Sequence, residues 1–195
     1  MKAPLILFMA AALVLGALQL LHQGTAGRIS AHTLAQAQAL TQSLSTQLGL
    51  NEAHGQTLDW PDLPGLPEHL GLRSPRPIEW LPEAQVLFIP STSQRGYAGD
   101  IELLVAVSAA REVLAVGLIQ HRETPGIGDR IEPERSNWLA QLTGAKAPLA
   151  HRPHGHIDRL SGATITTQAV LEAVNQALAW SAQHPQLFDL EANTP

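Results

Sequence analysis

Two apolar segments separated by a short break constrain the fold of this chain more than any other feature of its sequence. Residues 101–107 and 113–119 have the apolar composition of strands. The break between them, with residues 109–112 as its turn, is too short for a helical crossover, so the strands are expected to pair antiparallel as a hairpin. The sequence therefore predicts an α+β fold, in which an antiparallel sheet is built around this hairpin and flanked by helices.

Further elements are predicted on both sides of the hairpin. Residues 86–89 form a short apolar run, which predicts a strand that Pro90 should end. Residues 29–48 place apolar side chains near one face, which predicts a helix that packs on the domain, with Gly49 as its stop. Near the C-terminus, apolar residues recur at steps of three and four, so a helix is predicted over 165–179.

Composition excludes several classes of function. The 195 residues carry a net charge of −5 and show no basic stripe, so nucleic acid is not an expected partner. The chain has no cysteine, which excludes disulfides, thiolate metal sites and iron–sulfur clusters. If the protein carries electrons, it must therefore bind a redox cofactor that does not depend on cysteine ligands.

The segment from Asp158 to Thr164 is the most distinctive short pattern in the chain. Gly162 and Ala163 lie between the hydroxyl residues Ser161 and Thr164, and the predicted helix follows at once. This order predicts a tight turn that leads into a helix start, where free N–H groups favour a phosphate. Gly162 lets a ligand or another backbone approach closely. Alternatively, the hydroxyl groups simply cap the helix.

This segment resembles the flavinylation motif Asp-x-x-Ser/Thr-Gly-Ala-Thr of the covalent FMN-binding domain family. In that family the last threonine carries FMN through a phosphoester bond, and the matching residue here is Thr164. On this resemblance, Ser161 is expected to hydrogen-bond the attached phosphate and Asp158 to order the loop by accepting backbone N–H groups. Gly162 and Ala163 would let the motif enter the cleft of the enzyme that attaches the flavin.

Two further segments resemble the same family. In the family a Gly-Tyr-x-Gly segment precedes the hairpin, and residues 96–99 match it here. The family also has a Glu-Thr-Pro-Gly-Leu-Gly segment, which residues 123–128 match with isoleucine in place of leucine. The family usually has a glycine in the hairpin turn, where this chain has Ala109-Ala110-Arg111. The resemblance covers about residues 95–180. It implies that the second segment lines the flavin, with these candidate residues: Glu123, Thr124, Gly126 and Gly128.

The family includes the G subunits of Rnf/Rsx-type ion-translocating electron-transport complexes. The resemblance implies an electron carrier with covalent FMN that passes electrons to other membrane subunits of such a ferredoxin- and NAD-linked oxidoreductase complex. The carrier would have no catalytic residues and no turnover alone. A separate flavin transferase would move FMN from FAD onto Thr164, with Mg²⁺ and release of AMP.

Two alternatives stay open at this point. The domain also occurs in the C subunits of sodium-pumping NADH:quinone oxidoreductases, and a stand-alone FMN carrier would have the same chemistry. A protein of another class, a non-redox membrane-tethered binding or assembly protein, would carry the motif only as a capped helix.

The N-terminal region predicts a membrane anchor. Residues 4–21 carry no charge and, at about 1.5 Å per helical residue, reach about 27 Å, nearly the thickness of the hydrocarbon core. Lys2 before this run favours a cytoplasmic N-terminus. With the resemblance, this predicts a single-pass protein of the bacterial inner membrane with its main domain in the periplasm. The alternative is a signal peptide cleaved after Gly24-Thr25-Ala26.

The chain is thus expected to have five parts. They are a membrane anchor at 1–28, a helical linker at 29–58, a Pro-rich segment with the first strand at 59–94, the FMN-binding domain at 95–184 and a loose tail at 185–195. His151, His154 and His156 suggest a metal site, but Pro153 and Gly155 interrupt the run, so a solvated loop without metal is predicted instead.

Overall fold

The computed structural model describes residues 34–50, 55–58, 69–72, 76–153 and 155–188, together with Leu15 and Gln19. The chain divides into two compact units, Met1–Gln36 and Ala37–Pro195, and the fold below is that of the second unit.

The second unit is built on a five-stranded sheet. Its strands are β1 (Gln56–Leu58), β2 (Ile78–Leu81), β3 (Val86–Ser93), β4 (Ile101–Ser108) and β5 (Val113–Gln120). They lie in chain order, and every neighbouring pair is antiparallel. The predicted antiparallel sheet around the β4–β5 hairpin is confirmed.

The third strand is longer than the sequence indicates. The predicted stop at Pro90 is wrong, because β3 continues through it to Ser93. The pairing of β2 with β3 ends at Phe88, whereas Pro90 still pairs with Leu104 of β4. Among the described strands, β3 therefore has a sheet neighbour on one side only beyond Phe88, and proline is tolerated at such an edge.

The hairpin turn reaches its shape without a glycine. Arg111 adopts a left-handed backbone with φ of 61°, which is uncommon for a residue with a side chain. Its N–H donates to the Ser108 carbonyl at 2.9 Å, and its guanidinium lies 4.7 Å from the centre of the Phe188 ring. Arg111 thus occupies a backbone conformation that favours glycine, and its cation–π contact with Phe188 helps to hold it there.

Helices cover both faces of the sheet. In the second unit, residues 37–47 are helical; this helix, labelled α1, ends before Gly49, whose φ of 74° is typical of a helix stop. The C-terminal helix α2 (Thr164–Gln183) is longer than the predicted 165–179. Alternate residues of β4 divide between two apolar cores, with Val105 in the core that contains α2 and Ala106 in the core that contains Leu44 of α1.

Residues 185–188, the start of the expected loose tail, are packed. Pro185–Leu187 form a 3₁₀ turn, and both Leu187 and Phe188 are buried. The Phe188 ring meets Trp80 edge-on, with ring centres 5.5 Å apart. Aromatic contact with the core therefore fixes this segment, and residues 189–195 lie outside the described part.

The predicted anchor at 1–28 lies outside the described residues, apart from Leu15 and Gln19. Among the helices that the structure describes, none combines the length and apolar character that crossing a membrane requires.

The histidine loop has two different imidazole environments. His151 is buried, and its Nδ1 lies 3.4 Å from the Ile157 carbonyl oxygen. His156 is exposed, and His154 lies outside the described residues. Burial lowers the pKa of His151, and the nearby positive charge of Arg159 lowers it further.

The pH dependence of stability tests this burial. Because the folded state binds the His151 proton less tightly than the unfolded chain, the free energy of unfolding should fall as the pH drops below about 6.5, the ordinary histidine pKa. The His151→Gln variant should lose less stability than wild type in urea unfolding between about pH 7.5 and about pH 5.5. His156→Gln is the control and should keep the wild-type slope. Equal slopes for His151→Gln and wild type would refute the assignment.

Candidate functional site

A tight turn presents the start of α2 to solvent. Gly162 has a left-handed φ of 81°, and the Ala163 N–H donates to the Leu160 carbonyl at 3.0 Å. The helix begins at Thr164, its N-cap residue is Ala163, and no side chain caps it. The predicted turn and helix start are present. The alternative, in which the Ser161 and Thr164 hydroxyls serve only as caps, does not describe this helix.

Three threonines near the helix start have different environments. Thr164 is exposed, whereas Thr166 and Thr167 are fully buried. The Thr166 hydroxyl donates to a Glu123 carboxylate oxygen, and the Thr167 hydroxyl donates to the carbonyls of Ala163 and Thr164, each at 3.1 Å. Of the three, only Thr164 offers its hydroxyl to a reaction partner.

A cleft of about 380 Å³ opens beside Thr164. It is named here the apolar cleft, because it is lined by Tyr97, Ile127 and Ile165, residues that are 70%, 48% and 53% exposed. Large apolar groups this open to water normally mark a binding surface when they cluster. The complete lining is Tyr97, Glu123, Thr124, Ile127, Gly128, Gly162, Ala163, Thr164, Ile165 and Thr166.

The cleft unites six of the nine predicted site residues. Those six are Glu123, Thr124, Gly128, Gly162, Ala163 and Thr164. Asp158, Ser161 and Gly126 do not line it. Residues that sequence reasoning does not assign to the site also belong to the lining, namely Tyr97, Ile127, Ile165 and Thr166. Ile165 carries a usable signal, since it lies off the apolar stripe that buries α2.

The buried carboxylate of Glu123 joins three segments around the cleft. One oxygen accepts the Ala98 N–H at 3.0 Å, and the other accepts the Thr166 hydroxyl of α2. The Glu123 N–H donates to His121 Nδ1 at 3.2 Å. A buried charge is costly without hydrogen bonds, and these bonds satisfy both of its oxygens. Glu123 therefore holds the walls of the cleft together.

The two predicted glycines of the 123–128 loop have different roles. A Cβ on Gly128 would lie 2.7 Å from the Glu123 Cβ and 3.1 Å from the Thr166 hydroxyl oxygen, so only glycine fits. Gly126 has open space around it but a left-handed φ of 79°. Gly128 thus allows close packing at the cleft, and Gly126 shapes the loop.

Asp158 orders the loop through its backbone. Its N–H donates to the Gln141 side-chain oxygen at 2.9 Å, and its carbonyl accepts the Trp138 indole N–H at 2.6 Å. Its carboxylate lies 3.2 Å from Arg152 Nε in an exposed ion pair. The sequence leads us to expect that this carboxylate accepts backbone N–H groups. In the structure it pairs with Arg152 instead, and the main-chain N–H and carbonyl of Asp158 make the hydrogen bonds that order the loop.

Ser161 lies beside the cleft rather than in it. It is exposed, and its carbonyl oxygen lies 3.4 Å from Arg130 Nη1. That contact joins the turn before α2 to the 3₁₀ helix Gly128–Ile131, to which Arg130 belongs.

The two buried threonines allow a matched test of the Glu123 contact. Thr166→Val should lower the free energy of unfolding by about 1–3 kcal/mol, because it leaves a buried carboxylate oxygen without its donor. Thr167→Val should cost less than about 1 kcal/mol, since the Ala163 carbonyl still accepts the Thr167 N–H at 3.0 Å. Urea denaturation measures both. Equal costs would show that Glu123 does not depend on Thr166.

Comparison with known proteins identifies relatives of this site. Residues 96–179 match the FMN-binding domain family. The chain is 36% identical over 135 residues to the G subunit of the ion-translocating oxidoreductase complex of Shewanella baltica strain OS223, with 64% of each chain covered. It is 38% identical over 124 residues to the corresponding G subunit of Pseudomonas aeruginosa strain UCBPP-PA14, with 58% of each covered. The matched region spans less than two thirds of these relatives' own length.

Proposed function

We propose that this chain is a G-type subunit of an ion-translocating oxidoreductase complex and an electron carrier with FMN linked covalently to Thr164. The match of residues 96–179 to the FMN-binding domain family and the similarity to G subunits of such complexes support this. The observation that carries the proposal is the position of this residue. Thr164 is the exposed threonine at the rim of the apolar cleft, while Thr166 and Thr167 are buried with their hydroxyls in use.

The apolar cleft suits a flavin in size and chemistry. Its volume of about 380 Å³ lies in the range of small-molecule pockets, which are mostly apolar with a few placed polar groups. The side chains of Tyr97, Ile127 and Ile165 offer apolar surface to a flat ring. FMN supplies reversible electron transfer when bound. The cleft is open, so a ring held there stays within reach of a partner protein.

The protein's own part in attachment is to present a hydroxyl group. The Thr164 oxygen would form the bond to the FMN phosphorus, the bond from that phosphorus to AMP in FAD would break, and the hydroxyl proton would leave to solvent. Activation would come from a flavin transferase with Mg²⁺. Thr164 is exposed at the start of α2, which supports attachment by a separate enzyme, because that enzyme must reach the Thr164 hydroxyl.

The wider setting follows from the relatives' names. They are subunits of an ion-translocating oxidoreductase complex, so the partners proposed here are the other membrane subunits of such a complex. Residues 4–21 would anchor the protein by a single span in the bacterial inner membrane, with the FMN-binding domain in the periplasm. Their lack of charge and their length support this arrangement.

Substitution of the acceptor tests the proposed linkage. Thr164→Val keeps the shape of the side chain but removes the hydroxyl, so covalent flavin should be lost while the domain stays folded. Wild type and variants would be co-expressed with an active flavin transferase and viewed under ultraviolet light on a denaturing gel. Thr166→Val and Thr167→Val are the controls and should remain fluorescent. Fluorescent Thr164→Val protein would refute the residue assignment, and wild type without flavin would refute the carrier function.

Reporter fusions test the proposed topology. A reporter enzyme that works only outside the cytoplasm, fused after Pro195, should be active, and a cytoplasmic reporter at the same place should not. The opposite pattern would refute the orientation. A purified protein whose N-terminus begins at Gly27 would refute the anchor and support a cleaved signal peptide.

A further inference from the structure

A second cleft meets the apolar cleft at Thr164. It has a volume of about 730 Å³ and is named here the arginine cleft, because Arg95 and Arg159 both line it. Its lining is Arg95, Arg159, Thr164, Ile165, Gln168, Ala169, Glu172, Asn175, Gln176 and Ala179. Thr164 and Ile165 belong to both clefts, so the two clefts meet at the proposed flavin acceptor.

The two arginines differ in whether they already form an ion pair with a described carboxylate. Arg95 Nη1 lies 3.5 Å from the Glu172 carboxylate. Glu172 follows Thr164 by eight residues of helix, or about 12 Å along its axis, so this pairing draws Arg95 away from the acceptor. Within the described part of the chain, Arg159 makes no ion pair. Its guanidinium is therefore available to an anion near Thr164.

We propose that Arg159 positions the phosphate of the flavin on Thr164, with the phosphate and ribityl chain in the arginine cleft and the ring in the apolar cleft. This inference rests on the proposed function. FMN has an anionic, hydrophilic half and a flat, apolar half. The arginine cleft is lined by Arg159 and Gln168, which can bind the first half, and the apolar cleft is lined by Tyr97 and Ile127, which can pack against the second. Arginine suits the role because its planar donor group binds phosphate through charge-assisted, often paired hydrogen bonds.

A neighbouring arginine provides the matched control. Arg152 is also exposed and lies in the same segment, but it pairs with Asp158 and does not line either cleft. Arg159→Gln and Arg152→Gln therefore remove the same charge from nearby positions, and Arg159→Lys retains the charge. Full-length protein would be prepared with each substitution, both with covalent FMN, after co-expression with a flavin transferase, and without it.

The first measurement is the change in the unfolding equilibrium constant when FMN is attached. FMN attachment should lower the unfolding equilibrium constant by a factor that is about two- to fivefold smaller in Arg159→Gln than in wild type. This is the range expected for an exposed charge pair. Arg152→Gln should match wild type, and Arg159→Lys should recover part of the loss. Comparing flavinylated with unmodified protein for each variant removes any effect of the substitution on the fold alone.

The second measurement is the phosphorus NMR resonance of the phosphodiester, which reports its immediate surroundings. It should shift in Arg159→Gln and stay unchanged in Arg152→Gln. If flavin is attached to all variants but both measurements are the same in Arg159→Gln and Arg152→Gln, the role of Arg159 is refuted and the proposed function stands. If wild type itself carries no flavin, the proposed function is refuted.

Discussion

The site depends on one buried carboxylate. Glu123 accepts hydrogen bonds from the Ala98 main chain and from the Thr166 hydroxyl, so it joins the loop before β4 to the first turn of α2. The two groups that it joins lie next to Tyr97 and Ile165, which form walls of the apolar cleft. Gly96 and Gly128 leave room for this carboxylate, since a Cβ on either would lie within 2.8 Å of one of its oxygens.

The same contact separates the roles of neighbouring threonines. The first turn of a helix brings successive residues to different sides, and here Glu123 holds Thr166 on the inner side, where Thr167 is also buried. Thr164 is left outside at the meeting point of the apolar and arginine clefts. The sheet and its two apolar cores supply the fixed base against which this turn is held. A rigid base with an exposed hydroxyl would suit the proposed carrier, because Thr164 would be modified by one protein and the attached flavin would then serve others.

Local sequence patterns predict those elements of the fold that depend on neighbouring residues in the chain. The short break between β4 and β5 requires an antiparallel pair, and the spacing of apolar residues locates α2. Features that depend on distant neighbours could not be predicted in this way. Pro90 is tolerated because β2 ends its pairing at Phe88, and Arg111 adopts a left-handed backbone with its guanidinium 4.7 Å from the centre of the Phe188 ring. The resemblance of motifs located most of the site, but the part played by Glu123 depends on Ala98 and Thr166, which only the folded chain brings together.

We propose that FMN is bonded to the oxygen of Thr164, and peptide mass analysis of flavinylated wild-type protein tests this bond most directly. Trypsin cleaves after Arg159, and no later Lys or Arg follows, so one peptide from Leu160 to the C-terminus contains every candidate hydroxyl of the acceptor segment. Fragmentation of this peptide should place the mass of FMN, less one water, on Thr164. The same mass on Ser161, Thr166 or Thr167, or an unmodified peptide from protein made beside an active transferase, would contradict the account.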